Sequence, residues 1–223
     1  MIIAIDGPSG AGKSTIGKRL ACALGFLYID TGAMYRAVGL ACLETGVDLA
    51  DAEAITEISN RAVIDLAGPP DALRVLLDGS DISQLIRTDE VSRAASIVST
   101  VSAVRRRLVE SQREMGARGN VVMDGRDVGT VVFPHADLKF FLTAAPESRA
   151  QRRYDEDLAK GREVTYEATL ADLIERDTRD TTRADSPLTQ TAESIVIDSS
   201  NLTIDEVLAI MQRAVRDEVD GRG

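Results

Sequence analysis

The sequence predicts an α/β fold: a five-stranded parallel sheet with helices on both faces, interrupted by a small inserted α+β domain. Three observations lead there. Short apolar runs alternate with helix-period stretches, the pattern of parallel strands joined by crossover helices. The first run, Ile2-Ile3-Ala4-Ile5, leads into the glycine-rich octet Gly7-Pro8-Ser9-Gly10-Ala11-Gly12-Lys13-Ser14 and then into a helix. About ninety residues separate the second run from the third, where a βαβ crossover needs only a dozen or two.

The elements follow in order. Ile2–Ile5 is a continuous apolar run cut off by Gly and Pro, as expected of a buried strand. Lys13–Leu24 has Ile16, Leu20, Ala23 and Leu24 on one helical face and Gly25 as its stop. Phe26-Leu27-Tyr28-Ile29 is the second strand, Asn120-Val121-Val122-Met123 the third, Leu138–Leu142 the fourth and Ser194-Ile195-Val196-Ile197 the fifth. Helical patterns fill 147–160, 166–182 and 203–217, the last opened by the capping box Thr203-Ile204-Asp205-Glu206. Inside the long gap, Arg61–Leu66 and Leu73–Leu77 read as two antiparallel strands joined across Gly68-Pro69-Pro70-Asp71. Helices are expected around them at 33–45, 51–60, 89–99 and 101–116. The tail Asp220-Gly221-Arg222-Gly223 is expected to fray.

Composition narrows the class. The chain has 223 residues, 44% hydrophobic and 28% charged, an ordinary globular balance. Aromatics are 4% and Trp is absent, so the core must rest on Ile, Val, Leu and Ala. No apolar run approaches the ~20 residues that span a bilayer, and no basic-then-apolar signal opens the chain. Cys22 and Cys42 form no C-x-x-C pair and read as reduced core thiols of a cytoplasmic protein. A net charge of −10 argues against a broad surface for polymeric nucleic acid or anionic membrane. Phosphate binding would therefore need locally gathered Arg and Lys.

The octet fits G-x-x-x-x-G-K-[ST] between a strand and a helix, the setting in which that motif cradles phosphates. Its amides can converge on phosphate oxygens at the helix N-terminus. Lys13 would reach the β and γ phosphates, and Ser14 would hold Mg²⁺. No N-K-x-D guanine signature is present, and the chain is short for a motor. A small chain with a large insertion after strand two points to a kinase of small molecules.

The other substrate's side is read from strand ends, which face the ligand crevice in an open parallel sheet. Asp30-Thr31-Gly32-Ala33-Met34-Tyr35-Arg36 follows the second strand, so Arg36 is expected within reach of the phosphate loop. The third strand ends Met123-Asp124-Gly125-Arg126-Asp127. Asp124 occupies the place of a carboxylate that orients Mg²⁺ and its waters, while Arg126 and Asp127 project at the same crevice. In Glu175–Arg183, Arg176, Asp180 and Arg183 fall at i, i+4 and i+7 on one helical face. Upstream, Arg149, Arg152, Arg153, Lys160 and Arg162 fill a helix and loop suited to an arginine-rich flap over transferring phosphates.

Taken together, GPSGAGKST, DTGAMYRA, IRTDEVSRAASIVS, VRRRLVESQR, DGRDVGTVVFP, IERDTRDTTR and SPL resemble bacterial-type cytidylate kinases, in order and over nearly the whole chain. The resemblance implies an adenylate-kinase-like fold: a core of 1–30 and 117–223, an inserted monophosphate-binding domain of 31–116, and a lid at about 150–166 within the core half. It implies ATP + CMP → ADP + CDP with dCMP also accepted, Mg²⁺ as cofactor, and a monomer. Gly7, Pro8, Ser9, Gly10, Ala11, Gly12, Lys13, Ser14 and Thr15 match the ATP loop, and Arg152, Arg153 and Arg162 fall in the lid on the ATP side. Arg36, Arg126 and Arg183 match the clamp on the acceptor phosphate. Ser96, Arg105 and Asp127 match the cytosine readers, and Arg176 and Asp180 the ribose contacts. Thr31 and Tyr35 of the DTGAMYR stretch belong with the substrate side. Lys13, Arg126 and Arg183 carry the catalytic charge, and Ser14 with Asp124 the Mg²⁺, through water for the carboxylate.

Chemistry supports the base readers independently. Cytosine offers a donor at N4 beside acceptors at N3 and O2, which a carboxylate and an Arg–Ser pair complement. Departures from the family pattern are small: His135 stands where Asp is common, and Ala184-Asp185-Ser186-Pro187 replaces a more usual run. Two other readings stay open at this stage. One is a kinase of another monophosphate or of a small alcohol such as shikimate. The other is a nucleotide-binding regulator without a second substrate.

Overall fold

The computed structural model describes residues 1–221. Its main sheet has five parallel strands: β1 (Ile2–Asp6), β2 (Leu27–Asp30), β6 (Val121–Gly125), β7 (Leu138–Thr143) and β8 (Ile195–Asp198), in the spatial order β2-β6-β1-β7-β8. Each predicted run is there, displaced by up to two residues at its ends, as is usual for boundaries. The central strands β1 and β6 are buried on both faces, so they read as continuous apolar runs rather than alternating ones.

The insertion between β2 and β6 folds as α2 (Thr31–Thr45), α3 (Ala52–Arg61), a three-stranded antiparallel sheet of β3 (Ile64–Ala67), β4 (Arg74–Leu77) and β5 (Ser80–Asp81), then α4 (Asp89–Val98) and α5 (Ser102–Gly116). The two expected strands pair Ile64 with Leu77 across the Gly-Pro-Pro turn. The two-residue β5 was not read from the sequence; it is too short to show a period. Side chains of the insertion such as Met34, Ile55, Val75 and Val98 join Ala4, Ile29 and Met123 of the main sheet in one apolar core. The other face of the sheet packs on α1 (Lys13–Leu24) and α8 (Ile204–Asp220) through Ile16, Leu20, Phe140 and Met211.

Local chemistry sets the helix ends. The Asp30 carboxylate accepts from the Ala33 amide at the start of α2. Thr165 caps α7 (Tyr166–Thr182), and Thr203 with Glu206 forms the capping box of α8. Pro146 opens α6 (Pro146–Ala159), where a missing amide costs nothing. Of the tail, Asp220 closes α8, and Arg222 and Gly223 lie outside the described residues. Cys42 is buried as expected, but Cys22 is exposed, because it falls on the outer face of α1. Among the described residues no helix is long and apolar enough to cross a membrane.

Candidate active site

The strand order brings three carboxylates to one edge of the sheet. Asp30 ends β2 opposite Asp124 of β6, and Asp6 ends β1 opposite Gly125. This is the carboxyl edge, where open α/β sheets bind ligands. A cleft of about 1470 Å³ opens over it, walled by the glycine-rich loop, α2, α4, α6 and α7.

The glycine-rich loop leaves β1 through two positions that only glycine fits. A Cβ on Gly7 would stand 1.9 Å from the Leu142 carbonyl oxygen of β7. Gly12, at φ 91°, starts α1 from the left-handed region. The Lys13 ammonium donates to the Pro8 carbonyl at 2.7 Å and is buried. Burial, with the Arg126 guanidinium nearby, holds its pKa well below the ordinary lysine value, against the pull of Asp124 and Asp180. Arg149, which the sequence grouped with the flap, is instead buried beneath the loop. It donates to the Ser9 carbonyl at 2.9 Å, the Ala144 carbonyl at 2.9 Å and Asp177 at 2.6 Å. It is a strut for the loop, and nothing in its local sequence distinguishes it from its neighbours Arg152 and Arg153.

Ser14 and Asp124 come together as read: the Ser14 hydroxyl donates to Asp124 Oδ2 at 3.0 Å. Tyr28 donates to the other carboxylate oxygen, and Thr31 ties the Asp124 carbonyl at 2.8 Å. Burial, then the neighbouring Asp30, raises the Asp124 pKa to about 6. Tyr28 was not foreseen; the sequence marked it only as part of the second strand.

Beyond the glycine-rich loop, the cleft is lined by a buried lattice of arginines and aspartates. Arg105 of α5 pairs with Asp127 and donates to the Ser99 carbonyl at 3.2 Å, with its guanidinium 5.4 Å from the centre of the Tyr35 ring. Arg126 donates to Asp180 Oδ2 at 2.8 Å. Arg183, one residue beyond α7, stands 3.8 Å from Asp180 and 3.9 Å from Asp127 while donating to the Ser186 carbonyl. Asp180 thus lies among three arginines. Burial pushes its pKa up, but Arg126, Arg176 and Arg183 outweigh that and hold it below the ordinary value. The buried Nε of Arg105 has no hydrogen-bond partner among the described residues, and neither does that of Arg176. Burial and the repulsion of Arg126 pull the Arg176 pKa down to about 10. The Tyr35 hydroxyl is likewise buried without a partner. Arg36 donates to Asp30 at 2.9 Å at the start of α2.

Ser96 is buried on α4, where its hydroxyl accepts from Arg179 of α7 at 2.6 Å. Arg179 stands in the charged run Glu175–Arg183, in which the i, i+4, i+7 spacing singled out Arg176, Asp180 and Arg183. Of the three flap arginines, Arg152 stands apart from Arg153 and Arg162. Arg152 donates to Ser199 at 3.2 Å, at the end of β8. Arg162 donates at 3.1 Å to Asp89, the first residue of α4, and Arg153 pairs with the same carboxylate. Asp157, buried on α6, holds both from behind at 3.0 Å. His135 is exposed in the loop before β7.

Cationic groups crowded around unsatisfied buried donors form a site for anions. A Lys at a glycine-rich loop on one side and an Arg–Asp lattice on the other make room for two of them.

Comparisons with known proteins place this geometry in a family. The family model described as cytidylate kinase matches residues 3–217. Curated proteins named cytidylate kinase align over nearly the whole chain. That of Caldanaerobacter subterraneus is 50% identical, covering 98% of this chain and 96% of the relative. That of Geobacter sp. strain M21 is 47% identical, with 98% and 94% covered. That of Bacillus subtilis is 45% identical, with 96% and 95% covered. Among solved structures, the shikimate kinase of Bacteroides thetaiotaomicron superposes with a TM-score of 0.50 at 14% identity, covering 97% of this chain and 98% of that one. That likeness speaks to the fold alone. The chain belongs to the cytidylate kinase family.

Proposed function

We propose that this protein transfers the γ-phosphate of ATP to the phosphate of CMP or dCMP, giving CDP or dCDP and ADP, as a cytoplasmic monomer. The observation that carries the reading is the acceptor lattice, in which Arg105, Asp127 and Arg183 surround Tyr35 beside the Arg126–Asp180 pair. We assign Arg105, Asp127 and Ser96 to the cytosine, Asp180 and Arg176 to the ribose, and Arg36, Arg126 and Arg183 to the phosphate, with Thr31 and Tyr35 closing that wall. The loop Gly7–Thr15 is assigned to the ATP phosphates. Segment 31–116 is the monophosphate-binding unit, and 150–166 is the lid carrying Arg152, Arg153 and Arg162.

The acceptor is already an anion at neutral pH, so no side chain need remove a proton. That fits a site whose groups are cations and their carboxylate holders. The work of the chain is to press two anions together in line and to neutralise the charge between them. Lys13 supplies a cation that burial has made costly, and so one that gains most when phosphate arrives. Arg176 and Arg126 repel one another until an anion lies between them.

Mg²⁺ fits the donor side. Ser14 and Asp124 are already in contact, and the raised Asp124 pKa marks a carboxylate short of positive charge. Among the described residues no group of three or more His, Cys, Asp or Glu is arranged to hold a metal by itself. An ion held by one carboxylate, a hydroxyl and substrate phosphates is the usual Mg²⁺ arrangement. When bound it would neutralise phosphate charge; Ser14 and Asp124 would hold it.

The test is ADP release with ATP and Mg²⁺ against CMP, dCMP, UMP, AMP, GMP and shikimate. CMP and dCMP should be preferred. Release that ignores CMP, or that favours shikimate, overturns the reading.

A further inference from the structure

Asp127 begins a single π-helical turn, Val128–Val132, in which the Val132 amide reaches back to the Asp127 carbonyl at 3.2 Å and the Phe133 amide to Val128 at 2.7 Å. Asp is among the residues that most readily cap the amides of the turn they precede. Yet the Asp127 carboxylate makes no cap. It points at Arg105 and Arg183 instead. The buried amides of the turn are taken instead by a residue more than a hundred positions away. Asp6, at the end of β1, accepts from the Val128 amide at 2.9 Å and from the Gly129 amide at 2.7 Å, one through each carboxylate oxygen. Asp6 is 6% exposed. Gly129 allows the approach, since a Cβ there would stand 3.3 Å from the Asp6 oxygen.

We infer that Asp6 is a positioning residue for base selection: by capping the turn from β1, it frees the Asp127 carboxylate to face the nucleobase. Without Asp6 the Gly129 amide is orphaned within reach of the side chain that would ordinarily satisfy it. Asp127 then turns to its own backbone and leaves Arg105. The effect falls on recognition of the base, because Arg105 and Asp127 lie on that side. It also explains an acidic residue directly before a loop that binds anions, where a carboxylate otherwise works against the ligand.

The inference rests on the proposed role of Asp127, so the experiment separates the two. Asp6→Asn, Asp127→Ala and the double variant are compared by steady-state kinetics with ATP, CMP and UMP. Asn accepts at one oxygen and presents a donor at the other, so it cannot cap both amides. Asp6→Asn should raise KM for CMP and cut the preference for CMP over UMP by about tenfold each, the size of a lost side-chain cap. KM for ATP should change less than about threefold, and the Asp6 change should have no further effect on base preference in the Asp127→Ala background. An unchanged CMP preference in Asp6→Asn, equal rises in both KM values, or additive effects in the double variant overturns the inference. If Asp127→Ala itself leaves base preference intact, the assignment of Asp127 fails first. Should Asp6→Asn not fold, Gly129→Ala crowds the same contact and is read by the same ratios. A residue that only supported the fold would lower the active fraction without moving either ratio.

Discussion

Lys13 carries its charge in a place that resists it. Its ammonium donates to the Pro8 carbonyl, and burial with Arg126 draws its pKa down. Replacing it with Met should lower kcat by about 10²–10³-fold, the range for loss of one preorganised charge at a transferring group. The melting temperature of the ligand-free protein should hold or rise, since an unfavourable buried cation is gone. A melting temperature that falls with activity would show Lys13 to be a structural tie. Asp6 gives the residue-scale pH prediction. Burial raises its pKa from 3.8 to about 6, against the two amides it accepts from. The folded state therefore binds more protons than the unfolded state between about pH 4 and 6, and stability from this group falls as pH rises through that window. Relative to Asp6→Asn, the wild type should lose stability from pH 4 to 6 and stay level above. Denaturant unfolding at a series of pH values measures it, and a difference that grows with pH contradicts the raised pKa.

At the scale of elements, α7 shows what periodicity reveals and what it hides. The i, i+4, i+7 spacing of Arg176, Asp180 and Arg183 placed them together, and the structure does so, with Arg183 one residue past the helix. Their partners were beyond local reading: Arg126 reaches Asp180 and Asp127 faces Arg183 from other elements, where chain distance carries no signal. The same limit hid Arg149 under the glycine-rich loop and Asp6 under the π turn. The helices were legible because burial imposes a period of 3.6, and the central main-sheet strands because burial on both faces makes them continuous apolar runs; β5 has two residues and shows neither signal. Two predictions belong to this scale. Asp180→Ala removes the carboxylate that holds Arg126 and leaves a largely buried guanidinium unpaired, so stability should fall by about 3 kcal/mol. KM for CMP should rise at the same time; an unchanged KM for both CMP and dCMP contradicts the ribose assignment. Asp89→Ala releases Arg153 and Arg162 from the first turn of α4. With both side chains assigned to the ATP phosphates, that carboxylate would compete with phosphate for them, and KM for ATP should fall, by about two- to fivefold for exposed pairs. A rise instead would mean that Asp89 orients those arginines for the nucleotide rather than withholding them.

The whole molecule sets a global charge against a local one. The chain carries a net charge of −10, and both substrates are polyanions. Taken alone, that surplus repels them, and added salt would relieve the repulsion and tighten binding. The cleft opposes it with Lys13, Arg36, Arg105, Arg126, Arg176 and Arg183 at the carboxyl edge of one sheet. Distance decides between the two. Screening has a length of ~8 Å at physiological ionic strength, so surface carboxylates farther away than that are largely silenced. The cleft cations act at contact and in a poorly hydrated setting, where screening is weaker. Yet their attraction to an arriving phosphate operates through the open mouth of the cleft, and ions dilute it there. The local term should therefore govern the salt dependence. Between about 0.05 and 0.5 M KCl at fixed free Mg²⁺, KM for both nucleotides should rise and kcat/KM should fall by several-fold, with kcat nearly constant once the phosphates are enclosed. Steady-state kinetics over that range decide the matter, and a KM that falls with salt would mean that the acidic surface, not the arginine lattice, sets the field the substrates meet.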